Sequence, residues 1–299
     1  MMRIAVTGSQ GQVAQSLAAI GPALGVDILL AGRPQLDLAA PSSIYPALAA
    51  LRPDAIISAA AYTAVDRAES EPDQAFAVNA LGAGAVAEAA ARLDVPVLHL
   101  STDYVFDGLK DGPYAETDAT GPTSVYGASK LEGERRVAAA TANHAIFRTA
   151  WVYSPYGNNF VRTMLRLGET RDSLSVVADQ KGCPTSAEDI ARALIAAARV
   201  LVGAQEPRHR GLFHLTGSGQ ASWADFAEHI FRAAERFGRP PVAVGRIGTE
   251  DYPTPAKRPA NSRLSGETLK TTYGITLPDW QVSTDAVVAT LLGRGESDR

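Results

Sequence analysis

The hydrophobic residues in the first half of the chain fall into short runs, and longer segments with helical periodicity separate these runs. The runs lie at residues 4–6, 28–30, 55–57, 95–100 and 145–147. Continuous apolar runs of this length are typical of strands that are buried on both faces of a parallel sheet. Because crossovers between parallel strands are right-handed, the pattern predicts an α/β fold with a doubly wound, Rossmann-type sheet.

The alternation changes after about residue 150, where the apolar runs become shorter. Pro155, Gly157 and Cys183-Pro184 mark loops, and helical patterns follow at residues 187–201, 223–237 and 283–292. We therefore predict a Rossmann-type domain at residues 1–150. Residues 151–299 are expected to complete the sheet and to add a smaller lobe, with the two parts interleaved.

Composition and charge narrow the class of protein. With 46% hydrophobic and 20% charged residues, the chain is predicted to fold into a globular protein. A net charge of −4 with scattered basic residues argues against nucleic-acid binding. The apolar runs are too short for a membrane span, the first residues run directly into a strand pattern, and the single cysteine cannot form an internal disulfide. We expect a cytoplasmic protein.

A glycine-containing turn lies between the first strand and the first helix. Gly8 and Gly11 form this turn, and Ala14 occupies a third position that needs a small residue. One glycine allows the tight turn, the second lets the backbone approach a pyrophosphate, and the helix terminus presents free N–H groups. The motif predicts a dinucleotide site, although a purely structural turn would use the same residues.

The end of the second strand bears on the choice of cofactor. NAD-binding proteins usually carry a carboxylate here, which binds the adenine ribose. This chain has Arg33 instead, and its next carboxylate is Asp37. The guanidinium of Arg33 could bind the 2′-phosphate of NADPH, or it could be a solvated surface charge. We expect NADPH or NADH as the cofactor, with NADPH preferred.

Tyr126 and Lys130 stand one turn apart on a predicted helix. A free tyrosine has a pKa of about 10, so it is a poor acid–base catalyst at neutral pH. A neighbouring ammonium favours the phenolate, and we expect Lys130 to lower the pKa of Tyr126. Thr102 follows the fourth predicted strand, and ligands of open α/β sheets bind at the carboxyl ends of the strands. A hydroxyl, a phenol and an ammonium are therefore expected to meet there.

Three motifs, Gly8-x-x-Gly11, Ser101-Thr102-Asp103 and Tyr126-x-x-x-Lys130, resemble those of the extended short-chain dehydrogenase/reductases. Within this superfamily, the chain is similar to the dTDP-4-dehydrorhamnose reductase family at residues 11–13, 59–69, 101–108, 147–153, 157–160 and 258–264. The resemblance covers nearly the whole chain. It implies NAD(P)H-dependent reduction of the C4 keto group of dTDP-4-dehydro-L-rhamnose to dTDP-L-rhamnose, a step of dTDP-rhamnose biosynthesis.

The resemblance also implies roles for individual residues. Tyr126 would protonate the developing alkoxide, Lys130 would hold the nicotinamide ribose, and Thr102 would hydrogen-bond near the reacting oxygen. The cofactor-binding set comprises Gly8, Gly11, Gln12, Val13, Arg33, Asp37, Leu38, Ala61, Tyr62, Thr63, Tyr126 and Lys130. The substrate-binding set, partly on the smaller lobe, comprises Thr102, Asp103, Val65, Trp151, Asn159 and Arg263.

Some members of this family are dimers that are joined through Mg²⁺ held by glutamates, so the resemblance implies a homodimer and a metal. The first-helix acidic position of that arrangement is Gln15-Ser16 here, and Glu188-Asp189 remains further on. An acidic pair at a helix start is also a favourable pairing with the helix dipole. We therefore assign no residue to a metal.

Two other functions remain open. A sugar-nucleotide epimerase or dehydratase on the same fold would recycle a tightly held NAD, and a non-catalytic NADP-binding regulatory subunit would keep the fold without turnover. Tyr104 after Asp103 argues against a dehydratase, which usually has an Asp-Glu pair there. The intact set of Thr102, Tyr126 and Lys130 argues against a regulatory subunit. The histidines lack metal-ligand spacing and no Gly-x-Ser-x-Gly motif occurs, which argues against metalloenzymes and hydrolases.

Overall fold

The computed structural model describes residues 1–203 and 206–293, and a parallel sheet of six strands forms its centre. The strands of these residues are β1 (Met2–Thr7), β2 (Val26–Ala31), β3 (Ala55–Ser58), β4 (Val97–Thr102), β5 (His144–Thr149), β6 (Val152–Tyr153), β7 (Ser173–Val177), β8 (Lys181–Gly182), β9 (Thr185–Ser186), β10 (Gly211–His214), β11 (Ala221–Ser222), β12 (Ala243–Ile247) and β13 (Asn261–Ser262). The sheet order is β2-β1-β3-β4-β5-β10, and all its neighbouring strands are parallel. The predicted fold class is confirmed.

Helices cover both faces of this sheet. The helices are α1 (Gln12–Ile20), α2 (Ile44–Leu51), α3 (Val65–Ala68), α4 (Pro72–Phe76), α5 (Ala83–Leu93), α6 (Val125–Ala140), α7 (Phe160–Leu167), α8 (Ala187–Gly203), α9 (Trp223–Glu235), α10 (Glu267–Tyr273) and α11 (Trp280–Leu292). On one face, α1 and α8 share a hydrophobic core with Ile4 and Val6 of β1. On the other face, α2, α5 and α6 share a core with Ala5 and Ile56. Because alternate residues of a strand point to opposite faces, both sets must be apolar.

The second half of the chain contributes to two different cores. β10 pairs in register with β5, from Gly211 opposite Ala145 to His214 opposite Arg148, and becomes an edge strand of the central sheet. A separate hydrophobic cluster surrounds the fully buried Phe226 and joins α7, α9 and α11 to β7. The remaining strands pair in three small sheets, β11-β8-β13, β12-β7 and β6-β9. The division at residue 150 stays a prediction.

The strand order reverses at β1, which has β2 on one side and β3 on the other. Thr7 ends β1, and its Oγ1 accepts hydrogen bonds of 3.0 Å from the N–H groups of Ala59 and Ala60 beyond β3. Ligands of doubly wound folds bind in the crevice at such a reversal, beyond the carboxyl ends of the strands. No helix within the two described ranges is long and apolar enough to cross a membrane.

Candidate active site

The turn after β1 has the geometry of a phosphate-binding loop. Gly8 has a φ of +87°, which glycine adopts at little cost, and its N–H donates a 2.6 Å hydrogen bond to the carbonyl of Ala31 on β2. Gly11 precedes α1, whose first turn has neither an acidic residue nor a side-chain cap. The positive end of the helix dipole therefore faces the turn uncompensated, as an anion-binding site requires.

The two glycines differ in what a side chain would meet there. In Gly8→Ala, the new Cβ lies 3.1 Å from Cβ of Ala60 at a positive φ, so we expect the free energy of unfolding to fall by about 2 kcal/mol. In Gly11→Ala, nothing lies within 4 Å of the new Cβ, so we expect a loss below about 1 kcal/mol, from the weaker N-cap alone, together with weaker cofactor binding. Denaturant titration and cofactor titration measure the two effects. A Gly8→Ala protein as stable as Gly11→Ala would contradict this geometry.

Gln12, in the first turn of α1, connects the turn to the loop after β6. Its Oε1 accepts hydrogen bonds from Oγ of Ser154 at 2.9 Å and from Nδ2 of Asn159 at 3.0 Å. Asn159 also caps α7, because its Oδ1 accepts a 3.2 Å hydrogen bond from the N–H of Arg162. The structure thus brings Asn159 beside Gln12, and both amides are engaged with the protein. Val13 is buried in the core beneath.

The predicted adenine-side residues lie in the loop after β2. Arg33 is exposed two positions beyond the end of the strand. Asp37 uses its carboxylate within the loop, where Oδ1 accepts a 3.0 Å hydrogen bond from the N–H of Ala39. Leu38 is buried in the core beside α2 and α5. Arg33 is therefore the charged side chain closest in sequence to the end of β2, where NAD-binding proteins usually have a carboxylate.

The loop after β3, residues 61–63, is fixed by a side chain that sequence analysis missed. Asn79 lies in a π-helical turn, Ala77–Gly82, between α4 and α5. Its Oδ1 accepts a 2.8 Å hydrogen bond from the N–H of Tyr62, and its Nδ2 donates to the carbonyl of Tyr62 at 3.1 Å and to Oγ of Ser129 at 3.0 Å. The amide thereby ties the loop to α6. Only the unusual helical turn, which the polar pattern does not reveal, aims Asn79 at the loop.

Thr102, Asp103 and Tyr126 meet at the carboxyl end of β4. Oγ1 of Thr102 donates a 2.9 Å hydrogen bond to Oδ1 of Asp103 and accepts one of 3.3 Å from the N–H of Tyr104. The hydroxyl of Tyr126 interacts with the side chain of Thr102. Burial raises the pKa of Asp103 to about 6, although hydrogen bonds from Ser262 and Thr102 oppose this shift. The structure thus gathers a phenol, a hydroxyl and a carboxyl in one buried cluster.

The electrostatic environment of Tyr126 differs from the sequence-based expectation. Burial raises the pKa of Tyr126 above its usual value, and the charge of Asp103 raises it further. The Lys130 ammonium points elsewhere: its Nζ donates a 2.6 Å hydrogen bond to the carbonyl of Leu100. The predicted lowering of this pKa by Lys130 is therefore wrong, because burial dominates. The phenol stays protonated at neutral pH.

Lys130 belongs to a second buried chain of polar groups. Its Nζ lies 3.5 Å from Nε2 of His99, and Nδ1 of His99 lies 3.1 Å from Oγ of Ser58. Burial lowers the pKa of His99 well below its usual range and lowers the pKa of Lys130 to about 8. A neutral imidazole can donate from Nδ1 to Ser58 and accept at Nε2 from Lys130. Sequence analysis missed His99 because an isolated histidine in an apolar strand gives no pairing signal.

Two predicted substrate residues, Val65 and Trp151, pack in different surroundings. Val65 begins α3 and packs in the same hydrophobic cluster as Tyr126. Trp151 has a φ of +50°, and its ring stacks on Trp223 with a centroid separation of 3.5 Å. Gly182 allows this packing, because a Cβ there would lie 2.3 Å from Cε2 of Trp151. The stacking with Trp223 covers one face of the Trp151 ring.

Arg263 lies at a separate cavity of about 420 Å³, whose lining also includes Cys183, Thr216 and Lys270. Its Nε donates a 2.7 Å hydrogen bond to Oδ1 of Asn261, and its Nη1 donates to Oε1 of Gln220 at 2.9 Å. These two hydrogen bonds hold its guanidinium against the protein.

The described residues contain no cluster of three or more His, Cys, Asp or Glu side chains with the geometry of a metal site. Glu188 and Asp189, the acidic pair that the family resemblance pointed to, both interact with other side chains of the protein. Glu188 forms a 2.6 Å ion pair with Arg192. Asp189 accepts a 2.5 Å hydrogen bond from Oγ of Ser283. These side chains do not fit a Mg²⁺ site within one subunit.

Comparison with known proteins gives a consistent result over the whole chain. Residues 2–292 match the family model described as the RmlD substrate binding domain. The chain is 55% identical over 295 residues to the dTDP-4-dehydrorhamnose reductase of Sinorhizobium fredii, with 99% of each chain covered. It is 43% identical over 288 residues to the protein of that name from Escherichia coli K12, with 94% of this chain and 95% of the relative covered.

Solved structures agree with these relatives. The dTDP-4-dehydrorhamnose reductase of Clostridium acetobutylicum superposes with a TM-score of 0.90 at 38% identity, covering 97% of this chain and 99% of the other. The Bacillus anthracis protein of that name, solved in complex with NADP, gives a TM-score of 0.90 at 34% identity, covering 97% and 100%. A UDP-glucose 4-epimerase from Thermus thermophilus, at 20% identity and a TM-score of 0.76 with 99% and 100% covered, shares the fold alone.

Proposed function

The chain belongs to the dTDP-4-dehydrorhamnose reductase family, and we propose from this premise that it reduces dTDP-4-dehydro-L-rhamnose to dTDP-L-rhamnose with a nicotinamide cofactor. One observation carries the proposal. The protonated phenol of Tyr126 and the hydroxyl of Thr102 interact at the carboxyl end of β4, within a chain that matches these reductases over 99% of its length. Keto reduction needs such a proton donor beside the hydride donor.

The residues at the strand ends fit a nicotinamide dinucleotide. The uncapped start of α1 suits the pyrophosphate, and Gly11 leaves open space where a side chain would obstruct it. The proposed cofactor-binding residues are Gly8, Gly11, Gln12, Val13, Arg33, Asp37, Leu38, Ala61, Tyr62, Thr63, Tyr126 and Lys130. When bound, the reduced nicotinamide supplies the hydride, and the protein supplies the proton and the orientation.

Tyr126 is the proposed general acid for the C4 oxygen. Because burial and the charge of Asp103 raise its pKa, its proton is retained until negative charge develops on the substrate oxygen. Thr102 interacts with the same phenol, and its hydroxyl, which donates to Asp103 in this structure, would turn to donate a second hydrogen bond to that oxygen. Two donors directed at one oxygen stabilise the negative charge of a developing alkoxide.

Lys130 is the proposed holder of the nicotinamide ribose. Two of its contacts are made within the protein, to the carbonyl of Leu100 and to His99. An ammonium has three donors, so a third remains for a ribose hydroxyl. With a pKa of about 8, Lys130 keeps its charge at neutral pH.

The remaining assignments concern the substrate and the division of the chain. Asp103, Val65 and Trp151 are proposed to contact the sugar, and Asn159 and Arg263 are proposed for the nucleotide end. We further propose that residues 1–150 bind the cofactor, while residues 151–299 complete the sheet and form the substrate-binding lobe. A homodimer, a cytoplasmic location and Mg²⁺ dependence stay predictions.

Arg33→Ala is expected to change the choice of cofactor. If the exposed guanidinium binds the 2′-phosphate of NADPH, its loss should lower the kcat/KM ratio of NADPH to NADH by about tenfold. The measurement is steady-state kinetics with each cofactor at saturating substrate. The control is Arg52→Ala, which removes an exposed arginine that follows α2 and not β2. An unchanged ratio in Arg33→Ala would identify Arg33 as a surface charge only.

The proposed function is tested by following nicotinamide absorbance with purified protein and enzymatically generated dTDP-4-dehydro-L-rhamnose. We expect one NADPH to be oxidised for each sugar nucleotide reduced, with dTDP-L-rhamnose as the product. Conversion of the sugar without net NADPH oxidation would instead indicate an epimerase or dehydratase. Cofactor binding without any conversion would indicate a regulatory subunit.

A further inference from the structure

Three polar side chains form a row across β4, β5 and β10. Ser101 lies opposite Arg148, and Arg148 lies opposite His214, in the register of the three parallel strands. Neighbouring residues in register point to the same face of a sheet. All three are at least nine-tenths buried, on the face of the sheet that α6 covers. A buried polar row of this kind requires a partner.

Glu134 on α6 is the partner of two members of this row, Ser101 and Arg148. Its Oε1 accepts hydrogen bonds from Oγ of Ser101 at 2.5 Å and from Nε of Arg148 at 2.9 Å, and its Oε2 accepts one of 2.7 Å from Nη2 of Arg148. We refer to Ser101, Glu134 and Arg148 as the Glu134 clamp. The side chains of Glu134 and Arg148 are only 7% and 4% exposed, so solvent does not screen their attraction.

The position of the clamp relates it to the reacting groups. Along α6, Glu134 follows Lys130 by one turn and Tyr126 by two turns, so the three lie on one face of the helix. Along β4, Ser101 stands between Leu100, whose carbonyl accepts a hydrogen bond from Lys130, and Thr102, whose side chain interacts with the phenol of Tyr126. The clamp therefore joins α6, which carries Tyr126 and Lys130, to β4, which carries Thr102.

We infer that the Glu134 clamp positions Tyr126 and Lys130 on α6 against Thr102 on β4 for the keto reduction, an inference that rests on the proposed function. None of its three side chains is placed at the substrate or cofactor. Ser101 acts through Thr102, which follows it on β4, and Glu134 acts through Lys130, one turn earlier on α6, while Arg148 holds Glu134 in place. Displacements of about 1 Å between reacting groups can cost up to about 100-fold in rate, so a loosened clamp should reduce the chemical step.

The test compares two clamp variants with a control on the same helix. Glu134→Gln keeps the side-chain volume but gives up one acceptor oxygen, and Ser101→Ala removes one hydroxyl while it leaves the ion pair intact. We expect kcat to fall about tenfold in Glu134→Gln and about threefold in Ser101→Ala, with KM and the Kd for NADPH within about twofold of wild type. Glu132→Gln, which loses the half-exposed ion pair with Arg136 on the same helix, should keep the wild-type kcat.

A further readout separates positioning from general stability. With NADPH deuterated at the transferred position, the kinetic isotope effect on kcat should rise in Glu134→Gln, because a slower chemical step becomes more rate-limiting. Glu134→Gln/Arg148→Met removes both charges and should regain stability without regaining kcat. If kcat instead recovers with stability, or if Glu134→Gln retains wild-type kcat and isotope effect, the clamp is structural and the inference fails.

A measurement without substrate keeps this test distinct from that of the proposed function. Hydrogen exchange of the free protein should accelerate in Glu134→Gln within residues 97–104 and 125–131, and it should be unchanged in Glu132→Gln. A wild-type protein that does not reduce the sugar nucleotide refutes the proposed function. An active wild type with unchanged exchange in Glu134→Gln refutes only the clamp.

Discussion

Tyr126→Phe is expected to lower kcat by about 1,000-fold while the Kd for NADPH stays within about twofold of wild type. The substitution removes the proton donor and keeps the ring, which packs edge-on against Tyr104 with centroids 5.4 Å apart. The fold and the cofactor site should therefore be retained. Single-turnover measurement of NADPH oxidation gives the rate of the chemical step, and fluorescence titration gives the Kd.

A matched control for this variant is Tyr153→Phe. Tyr153 is also a buried tyrosine whose pKa burial raises, and it lies in the hydrophobic cluster around Phe226. Its hydroxyl accepts a 2.9 Å hydrogen bond from Thr284. Its loss should cost about 1 kcal/mol of unfolding free energy and leave kcat unchanged. If Tyr126→Phe keeps more than about a tenth of the wild-type kcat, another group supplies the proton.

Lys130→Met is expected to lose both turnover and cofactor affinity. We expect the Kd for NADPH to rise by about tenfold or more, because a charge-assisted hydrogen bond to the ribose is worth about 1.5–3 kcal/mol. The chemical step should slow as well, since the nicotinamide would no longer be held beside Tyr126. Isothermal titration with NADPH and single-turnover kinetics separate the two losses. A variant with wild-type affinity would remove Lys130 from the cofactor site.

The same variant should not lose stability. A pKa that falls from 10.5 to about 8 on folding corresponds to a cost of roughly 3 kcal/mol for keeping the ammonium buried at neutral pH. Methionine avoids this cost, while the unpaired carbonyl of Leu100 costs about 1–3 kcal/mol in return. We therefore expect an unfolding free energy at least equal to that of wild type near pH 7. A large loss would show that the hydrogen bonds of Lys130 outweigh its burial.

The pH dependence of the unfolding free energy tests independently whether burial of the Lys130 ammonium destabilises the fold. Since the pKa of Lys130 is about 8 in the folded protein and 10.5 in the unfolded chain, the unfolded state binds more protons between these two values. The contribution of Lys130 to stability therefore rises with pH through this window. Urea denaturation at several pH values should show wild type gaining stability relative to Lys130→Met as the pH increases from about 8 to about 10.

Much of the fold and part of the site could be predicted from the sequence, because both depend on local spacing. Apolar runs placed five of the six strands of the central sheet, all except β10, and a spacing of one helical turn put Tyr126 and Lys130 on one face of α6. Strand ends placed Thr102 near them, since parallel strands end at one edge. These are properties of the backbone path, which periodicity describes well.

The polar contacts around these residues could not be predicted. His99 on β4 contacts Lys130 on α6, and Glu134 on α6 contacts Arg148 on β5. No periodic pattern in the sequence encodes pairs that join different elements. The expected influence of Lys130 on the pKa of Tyr126 failed for the same reason. Spacing indicates that two side chains share a face, whereas the pKa depends on burial and on where the ammonium points, which only the packed structure defines.

The edge position of β10 has a consequence for how the chain is made. β5 ends at Thr149, but its outer neighbour, β10, begins only at Gly211, about sixty residues later. At synthesis rates of about 5–20 residues per second, β5 leaves the ribosome as an unpaired edge for several seconds. Its apolar residues 145–147 would meanwhile offer open hydrogen-bonding groups to other nascent chains. Slow synthesis of residues 150–210 is therefore expected to increase the aggregation of this chain.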